Sequence, residues 1–378
     1  MRCVLARFSL LSLVACGGGS SGPVDWADAT PFTDDELLYL SYTDGDYDTI
    51  RVLDTVTGET RLLSDLDGGE GFGMSAVAMA PDRRSAAFSA YFRLEEADIS
   101  PSGGLPHPGI WRVDSSGEQY EMIAPPLQQS ESGTSCSSDA ECAPLGMECN
   151  LVFQTCQLEA ASYLTDDLTF SPDGEELWLT YGTYWLDGYY LSGGSTLASV
   201  PSVYGQEPAV PEIHLSDSSC AQTSDLAMHP DGSALLGVRS VCLSGRDEGV
   251  FEFAVPGLDE RRAVPTPDGF DIALTNPDWF PDGHGFVFVV YGGWDEEGDG
   301  VVDWYSDGLV QYDLETEEVS LISAMPEGFS IKDPTIAPDG NRIAMCVTGA
   351  GSDLYLVDLE AWEQFPATEE GASCKPSW

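Results

Sequence analysis

One short string returns along the chain and restricts what it can fold into: Ser171-Pro172-Asp173-Gly174, His229-Pro230-Asp231-Gly232, Phe280-Pro281-Asp282-Gly283 and Ala337-Pro338-Asp339-Gly340. Ala80-Pro81-Asp82-Arg83 is a degenerate copy, and Lys375-Pro376-Ser377-Trp378 echoes it at the last residues. Proline fixes φ, aspartate bonds the local backbone and glycine accepts positive φ, so each copy specifies a tight turn. Largely apolar runs flank the turns, as Asp225 to Met228 before and Ala234 to Val238 after. Such runs bounded by turn residues read as strands joined in hairpins.

Third strands follow at Ile50 to Asp54, Leu309 to Asp313 and Leu354 to Asp358, and a fourth follows a polar turn, as where Thr57-Gly58-Glu59 leads into Thr60 to Leu63. Four short antiparallel strands per repeat describe propeller blades rather than a β-sandwich with similar turns. Inner strands are expected at Ser75 to Ala80, Tyr163 to Phe170, Thr223 to His229, Ile272 to Phe280 and Ile331 to Ala337. Residues 36–64 supply three strands with no inner strand before them, and 373–378 supply an inner strand with nothing after it. The expected fold is therefore all-β: a six-bladed β-propeller over 36–378, closed by N- and C-terminal strands.

Strand, Ser/Ala-Pro-Asp-Gly, strand, then a Leu-Tyr-Leu-Val-Asp-like strand resembles the TolB-type propeller repeat, and Trp279-Phe280-Pro281-Asp282-Gly283 and Pro376-Ser377-Trp378 fit it well. The resemblance departs at Arg83, where the turn glycine is missing, and over 184–215, where a third strand is hard to place. It implies protein interaction in a cell envelope.

The first residues point the same way. Arg2 and Arg7 precede a short apolar run, Phe8 to Ala15, too short to span a bilayer. Residues 1–15 read as a signal peptide. Leu13-Val14-Ala15-Cys16 resembles the bacterial lipobox, which implies that Cys16 carries the lipid. Gly17 to Gly22 is a flexible tether by composition, so 16–35 is expected to link a membrane anchor to the folded body. Gly17 rather than aspartate after the lipidated cysteine favours, by resemblance to enterobacterial sorting, the outer membrane.

Eight cysteines remain once Cys3 and Cys16 are set aside, which suits an oxidising compartment and a disulfide framework. Cys136, Cys142, Cys149 and Cys156 fall in a segment without strand periodicity, 130–158, which resembles the small disulfide knots inserted in secreted bacterial proteins. Zinc is the alternative, although structural zinc sites favour closer cysteine pairs. Cys220 and Cys242 lie at equal distances from Asp231 and are expected to face each other across a hairpin. A Cys346–Cys374 bond would clasp the ring closure.

Charge excludes one class of partner. With 64 acidic against 15 basic residues the formal net charge is −49, and Lys332 and Lys375 are the sole lysines. Nucleic-acid binding needs the opposite field, whereas divalent cations are attracted. Asp295, Glu297, Asp299, Val301 and Asp303, with Gly300 between them, resemble the first part of an EF-hand calcium loop. Ser306 stands at the twelfth position, so Asp307 is the candidate that completes the set. A plain acidic hairpin loop is the alternative to calcium. Tyr184, Trp185, Tyr189 and Tyr190 crowd a Gly-containing loop, where packing across the propeller face is the first reading and a binding patch for a sugar or peptide is the alternative. No Gly-x-Ser-x-Gly elbow occurs and the four histidines are scattered. The expected function is a non-enzymatic envelope lipoprotein that binds a protein or other ligand through propeller loops. The alternative is an extracellular propeller hydrolase or lyase acting on a polymer.

Overall fold

The computed structural model describes Trp26 and residues 29–43, 46–65, 72–92, 109–125, 148–150, 155–157, 161–187, 190–216, 221–241, 249–264, 270–294, 304–326, 328–369 and 371–378. Among the described residues, six four-stranded antiparallel blades form the propeller. Blade 1 contains β1 (Glu36–Thr43), β2 (Asp46–Asp54) and β3 (Thr60–Asp65); blade 2 contains β4 (Phe72–Met79), β5 (Ser85–Phe92), β6 (Gly109–Asp114) and β7 (Tyr120–Ala124). A separate hairpin, β8 (Glu148–Asn150) and β9 (Thr155–Gln157), sets Cys149 opposite Cys156. Blade 3 is β10 (Ala161–Phe170), β11 (Glu176–Asp187), β12 (Tyr190–Pro201) and β13 (Glu212–Ser216). Blade 4 is β14 (Ala221–Met228), β15 (Ala234–Val241), β16 (Gly249–Ala254) and β17 (Glu260–Ala263). Blade 5 is β18 (Phe270–Trp279), β19 (Gly285–Trp294), β20 (Trp304–Asp313) and β21 (Val319–Ala324). Blade 6 is β22 (Ser330–Ile336), β23 (Arg342–Thr348), β24 (Ser352–Asp358) and β25 (Glu363–Pro366). The returning strand β26 (Ser373–Ser377) pairs antiparallel with β1, Leu40 opposite Cys374, and gives blade 1 its inner strand.

The core lies between blades. In β19, Phe286, Phe288 and Val290 pack toward blade 4 while Val287 and Val289 pack toward blade 6. Both faces of a middle strand are buried, so it reads as a continuous apolar run instead of alternating. Apolar clusters of this kind join every neighbouring pair, including blades 6 and 1, where Leu37, Tyr39 and Leu53 meet Ala344, Leu354 and Leu356.

The repeated turns pack on one another. Gly232 has φ 75°, and a Cβ there would sit 3.3 Å from the ring of Pro172 in the preceding blade's turn. Arg83 takes up the same left-handed conformation, φ 58°, without glycine's freedom. Its guanidinium compensates by donating to the carbonyls of Phe32, Thr33 and Glu36, which binds residues 32–36 to blade 2. Trp26 also docks: it stacks on Tyr204 at 5.1 Å, and buried Arg112 lies over both rings. Part of the stretch expected to be a tether is thus packed against blades 2 and 3.

Two local expectations change. Tyr184 and Trp185 lie on β11, and Tyr190 on β12, in a regular ladder from Glu176 opposite Pro201 to Asp187 opposite Tyr190. The aromatic stretch is therefore strand, not loop, as far as the described residues go; Tyr189 lies outside them. Blade 3's third strand was illegible because Ser192-Gly193-Gly194-Ser195-Thr196 carries no apolar pattern, and pairing with β11 imposes the conformation. In blade 4 a bulge between Ser224 and Ala227 changes the register and leaves Ala221 facing Val241. Cys220 and Cys242 flank that pair but lie outside the described residues, as do Cys136 and Cys142.

The Cys346–Cys374 disulfide is present, with Cα atoms 5.0 Å apart, and joins β23 of blade 6 to β26 of blade 1. Replacing both cysteines by serine should lower unfolding stability in urea by about 2–4 kcal/mol. An unchanged urea midpoint and slope would show that strand pairing alone closes the ring.

Candidate functional site: the throat of the central channel

A bulge interrupts the ladder of every inner strand, at Leu38/Leu40 for β26 and at Met74/Val77, Thr165/Asp167, Ser224/Ala227, Thr275/Asp278 and Lys332/Thr335 for the others. Bulges re-aim side chains. Four residues here have left-handed backbone in equivalent places: Asp225 (φ 54°), Asn276 (52°), Asp333 (49°) and Lys375 (55°). Asp and Asn tolerate this region; lysine does so only under constraint from its surroundings.

These side chains converge on the propeller axis. Asn276 Nδ2 donates to Asp225 Oδ1 at 2.8 Å and to Asp333 Oδ1 at 2.9 Å, and Lys375 Nζ donates to the same Asp333 oxygen at 3.0 Å. With Asp167 they line a cavity of about 540 Å³ whose wall also carries the turn prolines 81, 172, 230, 281 and 338. Asp167 is fixed by the backbone N–H groups of Leu168 and, in the next blade, Leu226. Asp278 repeats the device with Trp279 N (3.0 Å) and Ile336 N (2.7 Å), and Ser377 Oγ accepts from Met79 N at 2.9 Å. Each of these side chains ties one inner strand to the next.

Burial sets the protonation states. It pushes the Asp167 carboxyl up to about 7, with Lys375 pulling down and Asp225 pushing up. Asp278 is pushed up to about 6 by burial, against the N–H groups of Ile336 and Trp279. Burial works against charge on Lys375 too, yet Asp333, Asp167 and Asp225 together outweigh it and hold the ammonium protonated. The throat thus combines a carboxyl that titrates near neutrality, further carboxyl groups beside it and a fixed cation, which is the makings of an acid–base site.

Other candidates resolve differently. Glu176, Ser199 and His214 come together, Ser199 Oγ lying 2.7 Å from Glu176 Oε1 and 2.8 Å from His214 Nε2. Ser199 is 2% exposed, so this is a buried link between strands of blade 3 and not an accessible nucleophile. Asp295, Glu297, Asp299, Val301 and Asp303 lie outside the described residues, between β19 and β20, whose ends pair Trp294 with Trp304. Asp307 is half-buried on β20, and its Oδ2 accepts from Ile331 N at 2.9 Å. Cys16 also lies outside the described residues. None of the throat residues was a candidate from sequence, although one signal was there. A polar residue stands five places before the turn proline at Asp167, Asp225, Asn276 and Asp333, inside strands otherwise rich in apolar side chains.

No family model matches the sequence, and no curated protein sequence is similar to it. Among solved structures, TolB from Acinetobacter baumannii superposes with a TM-score of 0.56 at 14% identity, covering 91% of this chain and 66% of that one. An oligogalacturonate lyase in complex with manganese gives a TM-score of 0.51 at 16% identity, covering 91% and 79%. At such identities the likeness is one of fold. It corrects the functional expectation of a non-enzymatic binding protein: structures of this fold include a lyase as well as TolB, so the TolB-type repeat does not make the chain non-enzymatic.

Stability should follow the throat's titration. Asp231, held down at about 2 by bonds from Ser233 and His229, and Asp173, lowered by Ser171 and Glu175, add stability as pH rises past their folded-state values toward the ordinary value of 3.8. Asp278 and Asp167, raised to about 6 and about 7, keep protons that the unfolded chain releases, so stability falls from about pH 4 to pH 7. The melting temperature should peak near pH 4 and Asp278→Asn should flatten the decline; a melting temperature that climbs through this range would contradict the assignment.

Proposed function

We propose that this chain is an extracellular propeller enzyme, a hydrolase acting on a polymer, with the channel throat as its acid–base site. The observation that carries this reading is the meeting of Asp167, Asp225, Asn276, Asp333 and Lys375, contributed by five blades, in one cavity on the axis. Protonated Asp167 gives its proton to the leaving oxygen of the scissile bond. Asp225, oriented by the Asn276 amide, takes a proton from water as the water oxygen bonds to the electrophilic carbon and the bond from that carbon to the leaving oxygen breaks. Two carboxyl groups in different protonation states are what glycosidic hydrolysis requires, and no serine or cysteine nucleophile is needed. A cavity of about 540 Å³ is in the range that encloses a small ligand or the end of a chain.

In a screen of polysaccharides read by release of reducing ends, the protein should turn over a substrate with an alkaline limb near pH 7. Asp167→Asn should reduce kcat by about 10²–10⁴-fold. Absence of turnover across the screen, or an Asp167→Asn variant as active as the parent, would reject the enzymatic reading.

Placement at the envelope belongs to the same proposal. The lipobox-like Leu13-Val14-Ala15-Cys16 followed by the Gly/Ser run supports an enzyme held at a membrane surface by lipid on Cys16. Cys16→Ser should move the protein from the membrane fraction to the soluble one; a processed variant that stays with the membrane would refute the anchor.

A further inference from the structure

The two faces of the ring differ. Strands alternate in direction along each blade, so the connections from first to second strand and from third to fourth strand share one face. On that face every connection has five residues or fewer, apart from 202–211. The opposite face takes the long connections: 93–108 between β5 and β6, 125–160 between β7 and β10, and 295–303 between β19 and β20. The turn prolines line the throat cavity, so the throat reaches the short-turn face.

Trp26 and residues 29–36 lie across that same face. Thr55 N, in the turn after β2, donates to Asp35 O at 2.8 Å, and Phe32 N donates to Arg83 O at 2.7 Å. Ser115 Oγ, in the turn after β6, donates to Thr30 O. Trp26 is 4% exposed and stacks on Tyr204, in the connection after β12. The segment thus crosses the turns of blades 1, 2 and 3 and leaves the folded body at Trp26. Phe32 holds it there, packed with Leu38, Leu40 and Val113 between blades 1 and 2.

Chain length then limits how the ring can sit on an anchor. Cys16 and Trp26 are ten residues apart, with Gly17 to Gly22 between them. A Gly-rich run of that length spans about 16–19 Å on average, and at most about 35 Å at full extension. A seven-residue strand such as β23 is already about 23 Å long. With the long-loop face toward a membrane, the run would have to pass the height of a blade and the loops beyond it, which exceeds its average span. With the short-turn face toward the membrane it stays relaxed. The turn aspartates on that face do not oppose this, because repulsion from anionic headgroups is screened over about 8 Å at physiological salt. The face stands off from the lipid by the tether's span and does not rest on it.

We infer that the short-turn face, with the mouth of the throat, is held toward the membrane across this gap, and that the long connections point away. The inference rests on the proposed lipid anchor at Cys16 and is independent of the hydrolytic reading. It gives the throat a partner surface, the lipid headgroup layer, and makes the membrane side the direction from which a substrate enters.

Energy transfer to the membrane tests this with the full lipidated chain. The protein is bound to phosphatidylethanolamine/phosphatidylglycerol vesicles that contain a trace of acceptor-labelled phosphatidylethanolamine. A fluorescent residue replaces exposed Gln206, beside the docked Trp26, exposed Glu360, on the short-turn face of blade 6, or exposed Ala350, on the opposite face of the same blade. Transfer should be strongest at Gln206, weaker at Glu360 and weakest at Ala350. Equal transfer at Glu360 and Ala350 would mean that the ring stands on edge, and stronger transfer at Ala350 that it is inverted; either overturns the inference while leaving the anchor intact. Absence of transfer at all three sites rejects the anchor and the orientation with it. Lengthening the Gly/Ser run after Gly22, or freeing the strap with Trp26→Ala, should narrow the difference between Glu360 and Ala350. A difference unchanged in both variants would show that the strap does not set the orientation, and would overturn the inference as well.

Discussion

Each blade depends on the burial of both faces of its middle strands against two neighbours. A blade alone would expose both apolar faces, and at about 25 cal/mol per Å² that loss exceeds what four short strands recover by their own hydrogen bonds. The ring therefore has to close, and closure is assigned to the first and last strands: β26 pairs with β1, the Cys346–Cys374 bond spans blades 6 and 1, and Leu37 and Tyr39 pack on Leu354 and Leu356. Closure also removes the free inner edge that an incomplete blade would present for aggregation.

The same closure creates the site. Six inner strands run side by side around the axis, and their bulges turn polar side chains into a space that no single blade encloses. Left-handed backbone at Asp225, Asn276, Asp333 and Lys375 costs free energy at each position, and the ring offsets it with shared hydrogen bonds and with the ion pair between Lys375 and Asp333. Stability and candidate chemistry meet here in opposition. Asp167 and Asp278 hold neighbouring strands together through backbone N–H groups, while burial makes their ionised forms expensive.

A propeller places its variable chemistry on the axis and its constant chemistry in the turns. The Pro-Asp-Gly turns and the aspartates ending third strands, such as Asp54 and Asp313, do local work: their side chains accept the N–H groups of the turn that follows. That work explains why so many aspartates recur, and why their recurrence alone says nothing of function. Lys375 differs. It puts a cation where its equivalents Asp225, Asn276 and Asp333 carry acidic or amide side chains, and so gives the throat a polarity that the repeat does not dictate.

The sequence by itself determined the blades. Turn chemistry is local, so Pro-Asp-Gly spacing marked the hairpins, the split of blade 1 between the two ends of the sequence, and the pairing of Cys346 with Cys374 across it. Local chemistry could not reveal Tyr190 to Pro201 as a strand, because its Gly- and Ser-rich sequence is ordered by the partner β11, nor could it find a use for Arg83, whose side chain serves residues 32–36. Only the tertiary structure decided the throat. Asp167, Asp225, Asn276, Asp333 and Lys375 are separated by whole blades in sequence, and each alone looks like one polar residue in an apolar strand. Ring closure brings them within hydrogen-bond reach, and burial, a property of the assembled ring rather than of any segment, then raises the Asp167 carboxyl to about 7.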